Sequence, residues 1–369
     1  MSVIINGTTG VTSGSGQFDS ASTFGFKNRI INGAMMIDQR NAGASITVNS
    51  NTGSQFATDR FLVQGTASEG VFTAQQLSAT PPIGFKNYVR IQTTTASASP
   101  ASGSLYAMSQ IIEGFNIADL GFGAAGASTV TFSFWIRSSL TGTFSGSLKN
   151  GNAFNRSYPF TYVINATNTW EYKTVTVIGD TSGTWQTGNL GGLIVYWDLG
   201  CGSSLLSTAN SWQGANYNGV TGSTRLISTL NATMDITGVQ LEKGSTATSF
   251  DYRPYGTELA LCQRYTKVMR GSAYTKYAAG TVGSTTAVYA LSIPFSIPMR
   301  ASPSVSFSGT TVMTAGSSTF SVSTLNNLSS PDSACFDANL ASGAFVVGQC
   351  AMIGNDAGGS SVLTISAEL

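Results

Sequence analysis

The sequence predicts an all-β protein: an antiparallel jelly-roll sandwich, a short connecting helix, a second β-sandwich-like C-terminal domain and an extended N-terminal arm. Three observations carry that expectation. Charged residues make up 9% of the 369 residues, far below the usual quarter, so the Glu, Lys and Arg that populate helix surfaces are scarce. Glycine is abundant at 42 residues; with Ser, Thr and Asn it supplies the polarity of strands joined by tight turns. Runs of alternating apolar and polar residues follow one another without an intervening helical period, which argues for antiparallel sheets over βαβ units. Hydrophobic residues at 41% and aromatics at 10% suffice for real cores, and the length exceeds one average domain.

Residues 1–26 are Gly, Ser and Thr with isolated apolar residues. They cannot bury a core of their own and are expected to be an anchoring arm ordered only by contact with something else. Residues 27–253 carry the jelly roll. Strands are expected at RIINGAMMI, DRFLVQG, VFTAQQL, YVRIQT, LYAMSQII and VTFSFWIRSS, then at TFSGSLKN, YPFTYVI, WEYKTVTVI, GLIVYWDLG and MDITGVQLE. In VTFSFWIRSS, Phe132, Phe134 and Ile136 share one face, while Ser133, Trp135 and Arg137 share the other. Residues 254–269 break the period. Thr257 is placed as N-cap, Glu258 lies in the first turn, and Arg264 and Lys267 lie toward the end, as the helix dipole favours. Leu261, Tyr265 and Val268, flanked by Leu259 and Cys262, form an apolar stripe. A lone helix of about three turns is marginal in water, so this stripe is assigned to an oligomer interface on a symmetry axis. Residues 270–369 return to strands at AVYALSIPFSI, SVSFSG, TFSVSTL, GAFVVGQC and SVLTISAEL.

Charge is concentrated in one place. Val239–Val268 holds seven of the 35 charged residues, 18 basic and 17 acidic. A water-facing junction between two β-domains accounts for it, with ion-pair or turn roles for Glu242, Asp251 and Glu258.

The composition also excludes chemistry. There is no histidine, which removes Ser-His-Asp and Cys-His sites and the commonest general base. Four scattered cysteines form no CxxC, so no metal site and no cofactor are expected; a Cys335–Cys350 pairing is left open, with free thiols preferred. A net charge of +1 gives no footprint for nucleic acid, and no apolar run approaches a transmembrane helix. No catalytic residue is assigned. Exposed aromatic rings remain as candidates for sugar contact. Trp135, Trp170 and Trp197 lie in strand-like runs and are expected in the core. Trp185 in SGTWQTGN, and Trp212 with Tyr217 in NSWQGANYNG, lie in polar loops and are the candidate glycan-binding residues.

Four segments in order, NRIINGAMMIDQRNAGAS, FSFWIRSSLTGTF, NTWEYKTVTVIGDTSGTW and ITGVQLEKGSTATSFDYRPYGTELALCQRY, together resemble a family of bacteriophage and prophage virion proteins described as tail fibres or similar projecting structures. The match runs from Asn28 to Tyr265. The resemblance implies a jelly roll like those of carbohydrate-binding modules, a virion location, a homotrimer, attachment to other virion proteins through the arm, and contact with host-surface polysaccharide. Two other roles compatible with it are a capsid decoration or head fibre without a host ligand and, more remotely, a glycan depolymerase using two carboxylates.

Overall fold

The computed structural model describes residues 27–66 and 68–369 in full, together with the backbone of Val3–Asn6, Gly10–Ser13 and Gly16–Phe18. Those three short strands pair as an antiparallel meander. This is local order that the composition of the arm did not suggest; the rest of residues 1–26 lies outside the described residues. The chain divides into two compact units, Met1–Pro254 and Tyr255–Leu369.

The first unit is a sandwich of two six-stranded antiparallel sheets. One sheet has the order Glu171–Val177, Val130–Ser138, Thr233–Lys243, Tyr88–Thr95, Val71–Leu77, Ile46–Val48. The other has the order Ser157–Ile164, Gly142–Asn150, Gly191–Asp198, Tyr106–Glu113, Phe61–Gly65, Gly53–Thr58. Neighbours in space are mostly distant in sequence, as in a jelly roll. The period-2 alternation turns one face of each strand inward: Phe132, Phe134 and Ile136 are fully buried. Trp197 stands among them, its ring 5.2 Å from Phe132 and 5.5 Å from Phe134.

RIINGAMMI is not a strand. Asn32 and Met35 adopt positive φ angles of 61° and 54°, which an extended ladder does not allow. The Asn32 side chain supplies partners in place of the ladder, bonding both backbone groups of Ile37 and the carbonyl of Asp59. Ile30, Met35 and Ile37 are still buried, so the apolar content was real while the conformation was not.

The second unit closes six strands into a barrel, in the order Lys276–Ser284, Ala287–Pro294, Ser333–Leu340, Ser318–Asn327, Thr311–Ala315, Cys350–Asn355. Beside it lies a three-stranded sheet of Thr266–Arg270, Val362–Ser366 and Ser304–Ser308. All-β architecture is present as expected, with closure in place of two open sheets, which removes free strand edges from those six strands. GAFVVGQC spans a turn between glycines with φ of 91° and 90° at Gly343 and Gly348, and the next strand begins at Cys350. Cys335 and Cys350 lie on strands that are not neighbours in the barrel, and both are free thiols, as are Cys201 and Cys262.

The helix is shorter than the stripe required. It spans Tyr255–Gln263, so Thr257 falls inside its first turn and is not the cap. Pro254, whose fixed φ suits the approach to a helix, immediately precedes it. Lys267, Val268 and Met269 instead belong to the strand Thr266–Arg270, paired with Val362–Ser366. Pairing with a partner strand overrides the helical reading there.

Candidate functional site

The site grows from the outward face of Val130–Ser138. Ser133 and Trp135 alternate with the buried phenylalanines and therefore point away from the core. Trp135 sits opposite Tyr172 on one neighbouring strand and opposite Thr237 on the other. The Trp135 and Tyr172 rings lie side by side, with centroids 5.4 Å apart and planes tilted by 46°. Trp135 is half-buried and Tyr172 is 42% exposed.

The register of Thr233–Lys243 against this strand shifts between Ser133 and Trp135, and Gly238 is the residue at the irregularity. Its φ is 61°, a left-handed conformation that glycine adopts freely. A Cβ here would stand 2.7 Å from the Phe85 ring and 2.9 Å from the Trp135 ring. Glycine at this one position lets both rings pack across the strand.

After Lys243 the chain turns at Gly244 (φ 119°) and folds back over the outer face. Ala247, Thr248, Ser249 and Phe250 from this segment, with Ser133, Trp135, Tyr172 and Gly238 from the sheet, line a cleft of about 330 Å³, at the small end of ligand sites. Phe85, Phe250 and Tyr252 form an edge-packed aromatic group beside it, with centroids 4.8–5.5 Å apart. None of the eight lining residues is charged. The arrangement offers aromatic faces and hydroxyls together, the combination that suits a ligand with C–H faces and OH edges.

The charged stretch of the sequence is what holds this segment down. Buried Glu242 accepts hydrogen bonds from the Thr248 backbone N–H (2.9 Å), the Thr248 hydroxyl (2.7 Å) and the Gln240 amide (2.8 Å). Asp251 accepts from the Asn28 backbone N–H and pairs with Arg253 at 3.9 Å. Glu242 and Asp251 thus have the turn and ion-pair roles expected of them.

The candidate tryptophans are arranged differently from expectation. Trp185 is 8% exposed and belongs to the core, and its indole N–H donates to the Ser182 carbonyl. Trp212 is half-buried against the same core, with its N–H on the Ile178 carbonyl. The two rings meet edge to face at 5.5 Å, with Phe122 and Tyr158 around them. Trp185 is thereby taken into the core, while Trp212 is packed on it and stays half-buried. Tyr217 is half-buried, and among the described residues no ring contact joins it to them. Of the tryptophans expected in the core, Trp197 is there, whereas Trp135 and Trp170 are half-buried. Trp170 carries Arg137 over its ring at 4.8 Å, and Arg137 with Arg90 clamps buried Asp235.

The proposed oligomer stripe is likewise broken up. Cys262 and Tyr265 are completely buried within the single chain, Leu259 and Leu261 are half-buried, and Val268 lies on the strand. No continuous helical stripe is left to cover.

A second polar cluster covers the outer face of the other sheet. Lys149 is buried, and its ammonium donates to Asn216 (2.7 Å) and Asn218 (2.5 Å) and lies over the Tyr196 ring at 3.8 Å. Burial pushes this amine down to about 7, and burial pushes the neighbouring Cys201 thiol up. Among the described residues no group of three or more metal-ligating side chains converges.

No family model matches the chain, and no curated protein matches it. Among solved structures, it is similar to the enzymatically active domain of tailspike protein 4 of bacteriophage CBA120 at 11% identity and a TM-score of 0.31. That match covers 59% of this chain and 22% of that one, so the likeness spans about a fifth of the compared domain. It is also similar to the module TmCBM61 in complex with β-1,4-galactotriose (11% identity, TM-score 0.29; 59% of this chain, 100% of that one). A third likeness is to a putative sugar binding protein from Bacteroides thetaiotaomicron (12% identity, TM-score 0.34; 59% and 100%).

Proposed function

We propose that the protein is a non-enzymatic structural protein of a bacteriophage virion that binds a host-surface glycan through the cleft on its first unit, as a tail fibre or receptor-binding protein does. The observation that carries the glycan reading is the packed pair of half-buried Trp135 and exposed Tyr172 at the cleft, which Ser133, Thr248 and Ser249 also line. Pyranose rings present flat C–H faces that pack on aromatic rings, while their hydroxyls take directional hydrogen bonds. The virion reading is supported by the ordered resemblance across Asn28–Tyr265, including the whole stretch that folds over the cleft. In this reading the arm joins the protein to other virion components, the assembly is a homotrimer, and the protein is made in the bacterial host cytoplasm before incorporation.

The test is an array of bacterial lipopolysaccharide and capsular glycans probed with wild type, Trp135→Ala and Tyr172→Ala. Each substitution is expected to weaken binding about fivefold, since one well-packed ring contact contributes on the order of 1 kcal/mol, with circular dichroism unchanged. Undiminished binding in both variants would remove the cleft from the account. Failure of wild type to bind any glycan would favour the capsid-decoration or head-fibre role.

A further inference from the structure

We infer that Glu242 and Lys27 are positioning residues for the cleft: they fasten Thr248 from two sides and thereby tie ligand binding to the docking of the segment that begins at Lys27. The inference rests on the glycan reading for its ligand, and on hydrogen-bond geometry for its mechanism.

Thr248 lines the cleft, and its hydroxyl stands between two charged groups. Glu242 Oε2 lies 2.7 Å away and Lys27 Nζ lies 2.5 Å away. A carboxylate only accepts and an ammonium only donates. The Thr248 proton is therefore committed to Glu242, and one oxygen lone pair is committed to Lys27. The Thr248 hydroxyl can then serve a ligand only as an acceptor, which fits the O–H donors of a sugar. Charge-assisted hydrogen bonds of this kind are about twice as strong as neutral ones, so the rotor is fixed before any ligand arrives.

The fastening continues along both segments. Gln240 donates to Glu242 and accepts the Asp251 backbone N–H at 2.8 Å. Asp251 in turn holds the Asn28 backbone N–H, and Arg253 donates to the carbonyls of Asn28 and Ile30. Residues 27–30 and 248–253 are thus laced together by side chains from both segments. The wall of the cleft is one strand of that lacing, and the residues immediately after the N-terminal arm are the other. Neither Glu242 nor Lys27 lines the cleft; each acts through Thr248.

Two measurements on the full chain test this. Hydrogen exchange needs no ligand. Glu242→Gln and Lys27→Met should each speed exchange of the Thr248 amide, which donates to Glu242, about tenfold or more while amides of Val130–Ser138 keep their wild-type rates. Unchanged exchange in both variants would overturn the fastening. The second measurement is affinity for the strongest-binding glycan of the bacterial array, for Thr248→Ser against Thr248→Val. Serine keeps the hydroxyl between Glu242 and Lys27 and should bind within about twofold of wild type. Valine has the same shape without it and should lose about tenfold, as should Glu242→Gln. A role confined to stability would lower the melting temperature of these variants and leave affinity at 20 °C intact, which would contradict the inference. If wild type binds no arrayed glycan, the functional reading fails, and the exchange result still decides whether the lacing holds the wall.

Discussion

Lys149 shows how a single residue can be placed against its own chemistry. An ammonium buried beside two amide carbonyls and an aromatic face, with no carboxylate pairing with it among its described contacts, is stabilised by hydrogen bonds and a cation–π contact but loses most of its hydration. Its folded pKa of about 7 lies below the ordinary lysine value of about 10.4. Between those two values the unfolded chain binds more protons than the folded one, so stability rises with pH across that window. The penalty is fully present below about 7 and fades as pH climbs. The melting temperature of wild type relative to Lys149→Met should therefore rise between pH 7 and pH 9 by several degrees, given about 2–4 °C per kcal/mol for a unit of this size. A pH-independent difference between the two proteins would show that the amine titrates normally. Nothing in the sequence marks Lys149, which sits in TFSGSLKN like any strand-end lysine. Its burial follows from the 203–223 segment crossing the sheet, a long-range event without a local signature.

At the scale of elements, alternation was the most legible feature and the helix the least. Val130–Ser138 was readable to the residue, and its period of two already placed Trp135 on the face away from Phe134 and Ile136. Counting tryptophan as core because it lay in a strand discarded that information. Gly238 inside MDITGVQLE was a second usable sign, since glycine within a strand marks a bulge or a close approach. Trp185 misled for the converse reason: polar loops of Gly, Asn and Ser can be pinned by a buried ring. The helical period ran past its true end because Thr266–Arg270 satisfies both a helical and a strand pattern, and only its partner Val362–Ser366 decides between them. Tyr265, expected at a symmetric interface, is buried in its own chain. Tyr265→Ala should thus destabilise the protein by roughly 3–5 kcal/mol, as large-to-small replacements of buried aromatics do, in urea titrations whose midpoint does not depend on protein concentration. A midpoint that moves with concentration for wild type and not for the variant would return the residue to an interface.

For the molecule as a whole, composition was enough to say all-β, because a chain so poor in charge and so rich in Gly, Ser and Thr has few other ways to build a core. Closure of the second unit into a barrel was not legible: open and closed sheets use the same alternating strands, and only the pairing of Lys276–Ser284 with Cys350–Asn355 makes the difference. The role of the charged stretch was half legible. Its carboxylates do serve turns and ion pairs, but on the outer face of the sandwich, where they hold one wall of the cleft. The central claim is that ligand enters between that wall and the Trp135–Tyr172 pair. The five tryptophan indole N–H groups report on it directly in a two-dimensional ¹H–¹⁵N spectrum, because Trp197 and Trp185 are core residues, Trp212 is packed on the core, and Trp135 alone lines the cleft. Titration with a bound bacterial glycan should shift the Trp135 resonance first and most, and leave the Trp197 resonance in place. A titration that shifts Trp185 or Trp212 while Trp135 stays still would contradict the account.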